Sequence, residues 1–221
     1  MAKSTSSYED NVFINCPFDK QYKPIFNAIV FAIHDAGFVA RCSLEVIDSG
    51  QTRLETIISI IAECKYGIHD ISRTETSGKT KLPRFNMPFE CGLFWGCFEY
   101  GGGKHKDKRT LVLDSVENRY RESLSDIAGQ DIKVHHNDPR IAIDKVRSWL
   151  NVGSKRTTIP GGKAIWEHYV LFQKELAPIL KRAGITRAEL DTPEYYPDYV
   201  TFIVDWLIER EAKAAEKKRA R

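Results

Sequence analysis

Short apolar runs rich in β-branched and aromatic residues alternate along this chain with segments in which apolar residues return every three or four positions. The runs NVFINC (11–16), FVARCSL (38–44), YGIHDIS (66–72), RTLVLDS (109–115) and DIKVHH (131–136) have strand length and strand composition. After the first, Phe26, Ile29, Val30 and Ile33 fall on one face of a helix that starts near Tyr22, carries Pro24 in its first turn and stops at Gly37. Leu54, Ile57, Ile58 and Ile61 set the same spacing over 53–65. Met87, Phe89, Leu93, Phe94 and Trp95 supply a third helix that ends near the glycines at 101–103. The segment 119–129 reads as helix or turn, and 138–150, opened by Asp138 and Pro139, as another helix. The stretches 45–52 and 73–84 are polar, with Gly or Pro, and read as loops.

Strand–helix alternation of this kind predicts an α/β fold, a doubly wound five-stranded parallel sheet with helices on both faces. The expected strand order is 2-1-3-4-5, the flavodoxin-like arrangement. Near Asn151 the pattern changes, and NVGSKRTTIPGGK (151–163) reads as a linker. Two helices follow. One carries the stripe Ile165, Tyr169, Phe172, Leu176, Ile179 and Leu180, the other Val200, Ile203, Trp206 and Leu207. The organisation expected is an α/β domain over 1–154 and a C-terminal helical extension over 155–221. Two helices alone rarely build a stable core, so they should dock on the sheet domain or on a second copy, giving a homo-oligomer.

Composition narrows the setting. The chain has 221 residues, 42% hydrophobic and 29% charged, as a globular protein does. No apolar run approaches the roughly 20 residues of a membrane span, and the polar start MAKSTSSYEDN lacks the apolar core of a secretory signal, so a cytoplasmic location is expected. None of the five cysteines forms a CxxC pair, and most sit in apolar segments as small buried thiols. A net charge of +3 does not point to nucleic acid; the basic clusters at 104–109 and 213–221 read as solvated.

In open parallel sheets, ligands bind beyond the C-terminal strand ends where strand order reverses, here between the first and third strands. That brings Pro17, Phe18, Asp19, Asp70 and Glu90 towards one crevice, with Asp48 and Arg53 from the loop after the second strand. Glu90 lies within RFNMPFECGLFWGC (84–97), among apolar residues and close behind Pro88, which fits only a first helical turn. Asn86 is a candidate N-cap, and Gly92 and Gly96 could form a stripe for close approach to the sheet. One reading has Glu90 merely complementing the helix dipole, which favours its ionised form by about 0.3–1 kcal/mol. The other makes it a reactive carboxylate facing a crevice. SGKTK (77–81) lacks the upstream glycine of a phosphate loop, and no histidine has ligand-spaced partners, so no metal is expected.

The segments VFINCPFD, YGIHDIS and NMPFECGLFWG together resemble the nucleoside 2-deoxyribosyltransferase family and the wider superfamily it shares with bacterial TIR domains. The resemblance covers about the first 100 residues. It implies cleavage of an N-glycosidic bond in NAD, a nucleoside or a nucleotide, without a separate cofactor. Glu90 would be the catalytic carboxylate, with Asp70 at the strand end touching base or sugar. Phe18 would stack on a base, Asn86 bond a ribose hydroxyl, and Asp48 contact the sugar. Pro17 and Asp19 would shape the substrate pocket. Bacterial TIR-type relatives often deplete NAD or nucleotides in antiphage defence. Arg84 stands where the deoxyribosyltransferases carry an aspartate, so transfer, NAD cleavage and nucleoside hydrolysis all remain open. The non-catalytic alternative is a nucleotide-sensing or oligomerisation module.

Overall fold

A computed structural model describes residues 6–46, 50–73, 85–154 and 156–219. Five strands, β1 (Asn11–Asn15), β2 (Val39–Arg41), β3 (Tyr66–Asp70), β4 (Arg109–Asp114) and β5 (Lys133–Val134), form one sheet in the order β2-β1-β3-β4-β5. Every pairing is parallel, as in a flavodoxin-like sheet. The helices are α1 (Lys23–Asp35), α2 (Arg53–Glu63), α3 (Asn86–Tyr100), α4 (Pro139–Ser154), α5 (Gly162–Ala183), α6 (Arg187–Leu190) and α7 (Tyr196–Arg219). The segment 119–129 holds two short 3₁₀ turns, Arg119–Glu122 and Ser125–Ile127.

Strand parity divides the core. Val12 and Ile14 of β1, Tyr66 and Ile68 of β3, and Leu111 and Leu113 of β4 enter one large cluster with α1 and α4. Alternate residues point the other way: Phe13 packs with Ile57, Ile60, Ile61 and Phe94 under α2 and α3. Gly67 lies on that second face. A Cβ there would stand 2.8 Å from both Phe94 and His69, so the absent side chain is what lets α3 lie close to β3. Gly92 and Gly96 do not do this, because a Cβ on either would meet open space. The α2 stripe is also rotated from its expected position: Thr56, Ile57, Ile60 and Ile61 are buried, whereas Leu54 and Ile58 are exposed.

The helices after 155 share the first cluster rather than forming a core of their own. Nine consecutive residues of α1, Ile25 to Ile33, are buried, because α1 has the sheet on one side and α5 and α7 on the other. Phe31 lies 5.4 Å, ring to ring, from Tyr169 and from Phe172, and 6.0 Å from Trp206. Of the two dockings expected for the apolar stripes, on the sheet domain or on a second copy, the first is the one seen within the chain. The expected linker is also partly structured. Residues 151–154 prolong α4, Arg147 donates to the Pro160 carbonyl at 2.7 Å, and Arg156 bonds Asp10 and the Gly37 carbonyl.

Candidate functional site

At the C-terminal ends of β1 and β3, where strand order reverses, lies a hollow of about 400 Å³. It is lined by Asn15 to Asp19, Arg53, Asn86, Met87 and Glu90. Of the residues expected there, Pro17, Phe18, Asp19, Asn86 and Glu90 meet, joined by Arg53. Asp48 and the SGKTK stretch lie outside the described residues.

Glu90 reaches the hollow because it occupies a core position of α3. Met87, Glu90, Cys91 and Phe94 form the inward stripe at i, i+3, i+4 and i+7. The helix is inverted locally: Glu90 is 7% exposed, whereas its neighbour Phe89 is 54% exposed and Phe85 63%. Glu90 makes no hydrogen bond or ion pair with another described residue. Burial pushes its carboxyl from 4.5 up to about 7, with Arg53 pulling only weakly the other way. The helix-dipole contribution, about 0.3–1 kcal/mol, is therefore outweighed. Desolvation on this scale is worth about 3 kcal/mol at 1.36 kcal/mol per pKa unit, so the group titrates near neutrality.

Asn15 is the functional candidate that the sequence pattern missed. It shares parity with Phe13 at the end of β1 and is buried on the α3 side. Both its amide hydrogens are used: Nδ2 donates to the Met87 carbonyl at 2.8 Å and to His69 Nδ1 at 3.1 Å. Its Oδ1 is left without a bond to any described residue. His69 thereby accepts at Nδ1, and burial, with a smaller push from Lys108, holds its pKa down at about 3, so it stays neutral. The hollow accordingly offers two unengaged acceptors, Glu90 and Asn15 Oδ1, beside the Arg53 guanidinium and the half-buried Phe18 ring.

Asp70 is not brought to the hollow. It shares parity with Tyr66 and Ile68, so it faces α1 and is fully buried. Its Oδ2 accepts from Tyr22 Oη at 2.6 Å and from His135 Nε2 at 2.9 Å, and its Oδ1 from the Ser72 amide at 2.9 Å. The Asn137 amide donates to His135 Nδ1, which places the ring proton on Nε2, towards Asp70. Asp70 is thus a clamp joining β3, the N-cap of α1 and the residue that follows β5. Asp19 lines the hollow but is engaged by the Gln21 and Tyr22 amides at 3.0 Å each and by Arg73 at 3.3 Å. Asn86 is the first residue of α3 rather than its cap, Phe85 taking that place without a side-chain bond, and Asn86 is exposed at the rim.

Compared with family models, curated proteins and solved structures, the chain matches none. Among the described residues no helix is long and apolar enough to cross a membrane.

Proposed function

We propose that this chain cleaves an N-glycosidic bond in a nucleotide or nucleoside, with Glu90 as the reacting carboxylate. The observation that carries this reading is a buried, unpaired carboxyl opening on a hollow at the sheet's switch point. As the bond to the base breaks, positive charge grows on the sugar ring, and an adjacent carboxylate stabilises or captures it. Glu90 is buried, bonds no described residue and feels Arg53 only as a secondary pull, so the developing cation would be its principal partner. In this reading Asn15 Oδ1 and Asn86 would bond sugar hydroxyls, and Phe18 would cover a base.

Among the described residues, Glu90 is the one free carboxyl lining the hollow, and this bears on the substrate. A neutral nucleobase must gain a proton as it leaves, which calls for a second acid. Asp70 lies outside the hollow and Asp19 is occupied. A cationic base departs as a neutral molecule and needs no donor, so a pyridinium nucleotide such as NAD suits this site best. The resemblance to the deoxyribosyltransferase and TIR superfamily supports the same chemistry.

The test is incubation of the purified protein with NAD and with nucleosides, following released base by chromatography. Base should appear with NAD and disappear with Glu90→Gln. Full release by that variant would remove Glu90 from the reaction. A sensing module would instead be stabilised by nucleotides in a thermal-shift assay while leaving them intact.

A further inference from the structure

A second hollow, of about 670 Å³, shares Pro17, Phe18 and Asp19 with the first. Its other walls are α1, α5 and α6, so the C-terminal helices build a site that the sheet domain alone would lack. We propose that this hollow binds the phosphate-bearing part of a nucleotide, with Lys23 and Arg187 as the anion-binding pair.

Lys23 is the first residue of α1, where a cation opposes the helix dipole. Its side chain is half-buried, and the ammonium makes no hydrogen bond or ion pair with a described residue; its one ring contact is with Phe26, at 5.9 Å. Burial outweighs the attraction of Asp191, and a partly desolvated cation that bonds no carboxylate gains from an anion that joins it. Arg187 faces the same space. Its Nε lies 3.4 Å from Asp191, an exposed pair that leaves the guanidinium's other donors open. The two carboxylates in the walls offset this field only in part. Asp191 engages Arg187 and Asp19 engages Arg73, while Lys20 adds a third cation at the rim.

Asn27 gives a second, independent indication. It lines the hollow and is 4% exposed, yet its Oδ1 accepts no hydrogen bond. Buried amide oxygens are rarely left so. An acceptor suits an amino group or a hydroxyl, and both occur in a nucleotide beside the phosphate. Phe18 meets Phe26 edge-on at 5.3 Å and borders both hollows, so one ligand could place its sugar at Glu90 and its phosphates at Lys23. Only that placement of the sugar rests on the glycosidase reading; anion binding does not.

The experiment is calorimetric titration of the full chain with ADP and with adenosine at two salt concentrations. ADP should bind at least about tenfold more tightly than adenosine, and more weakly as salt rises. Lys23→Gln and Arg187→Gln should each weaken ADP about tenfold, in line with one charge-assisted bond lost. Both should leave adenosine binding and the circular dichroism spectrum unchanged, and Glu90→Gln should preserve the preference for ADP. Equal binding of the two ligands, no binding of either, or wild-type ADP affinity in both cation variants would overturn the proposal. Lys23-dependent ADP binding without any base release would end the glycosidase reading and leave this site standing. Base release with the same KM in wild type and Lys23→Gln would do the reverse.

Discussion

Replacing Glu90 with Gln should make the protein more stable at pH 8 and confer little at pH 5. The amide keeps the shape and hydrogen-bonding capacity of the carboxylic acid but cannot ionise. In the folded chain the Glu90 carboxyl titrates near 7, against 4.5 when unfolded. Between those values the folded state holds more protons than the unfolded state, so raising the pH weakens the fold. Below about 4.5 the group is neutral in both states and the two proteins should match. Above about 7 the whole penalty is present, amounting to about 3 kcal/mol at 1.36 kcal/mol per pKa unit. At pH 5 the same linkage leaves about 1 kcal/mol.

Urea titrations of both proteins at pH 5, 6.5 and 8 would read this as a widening gap in midpoint at constant m-value. In a thermal scan at pH 8 the variant should melt roughly 6–12 °C higher, at about 2–4 °C per kcal/mol for a chain of this size. A pH-independent difference, or a variant less stable at pH 8, would mean that the carboxyl already has a partner or full solvation. The case for a reactive Glu90 would then lose its physical basis.

Four further outcomes follow from the geometry. Base release should rise through pH of about 7 and level off above it, because the ionised form reacts; Glu90→Gln should lower kcat/KM on the order of 10²–10³-fold, and a rate that falls above pH 7 would assign an acid instead. Asp70→Asn should lose about 3 kcal/mol from two charge-assisted bonds while the folded fraction keeps its kcat; a large fall in kcat with the melting curve unchanged would return Asp70 to the reaction. Gly67→Ala should lose about 1–3 kcal/mol through overpacking against Phe94 and His69, whereas Gly92→Ala should be neutral or stabilising, both read by denaturation. Phe172→Ala should lose about 3–5 kcal/mol in one cooperative transition shared by sheet and C-terminal helices; two separated transitions would mean that the extension folds apart.

The sheet order was legible because strand and helix patterns alternate without interruption, and a parallel sheet with this pattern has few solutions. The extra layer was legible only in part. Reading one face of α1, Phe26, Ile29, Val30 and Ile33, suggests a helix covered on a single side. The full run from Ile25 to Ile33 is apolar save Asn27, and a helix apolar all round must be covered all round. That signal would have assigned the stripes of α5 and α7 to α1 without invoking a second copy. The stretch after α4 is legible as a break but not as a tethered one, because Gly, Thr and Pro mark a break in helix, not freedom from the core. Arg147 and Arg156 hold that stretch through backbone carbonyls, which no composition reveals.

The site divides along the same physical line. Which residues stand at the switch point follows from chain order; which of them face one another follows from parity. In β3, α3 packs over Gly67 and His69, so Asp70 must turn to the opposite face with Tyr66 and Ile68. In β1 the corresponding parity joins Asn15 to Phe13, and Asn15 enters the hollow in place of Asp70. An aspartate at a strand end draws notice for its charge and an asparagine does not, although alternation from the buried Phe13 already selects the latter. Glu90 obeys the same geometric rule on a helix, since Met87, Cys91 and Phe94 fix the face to which it belongs. A charged residue on an inward stripe, next to a phenylalanine turned outward, contradicts the burial that apolar packing alone would choose. Such a local reversal persists against the stability it forgoes, and at Glu90 it coincides with a hollow at the point where the strand order turns.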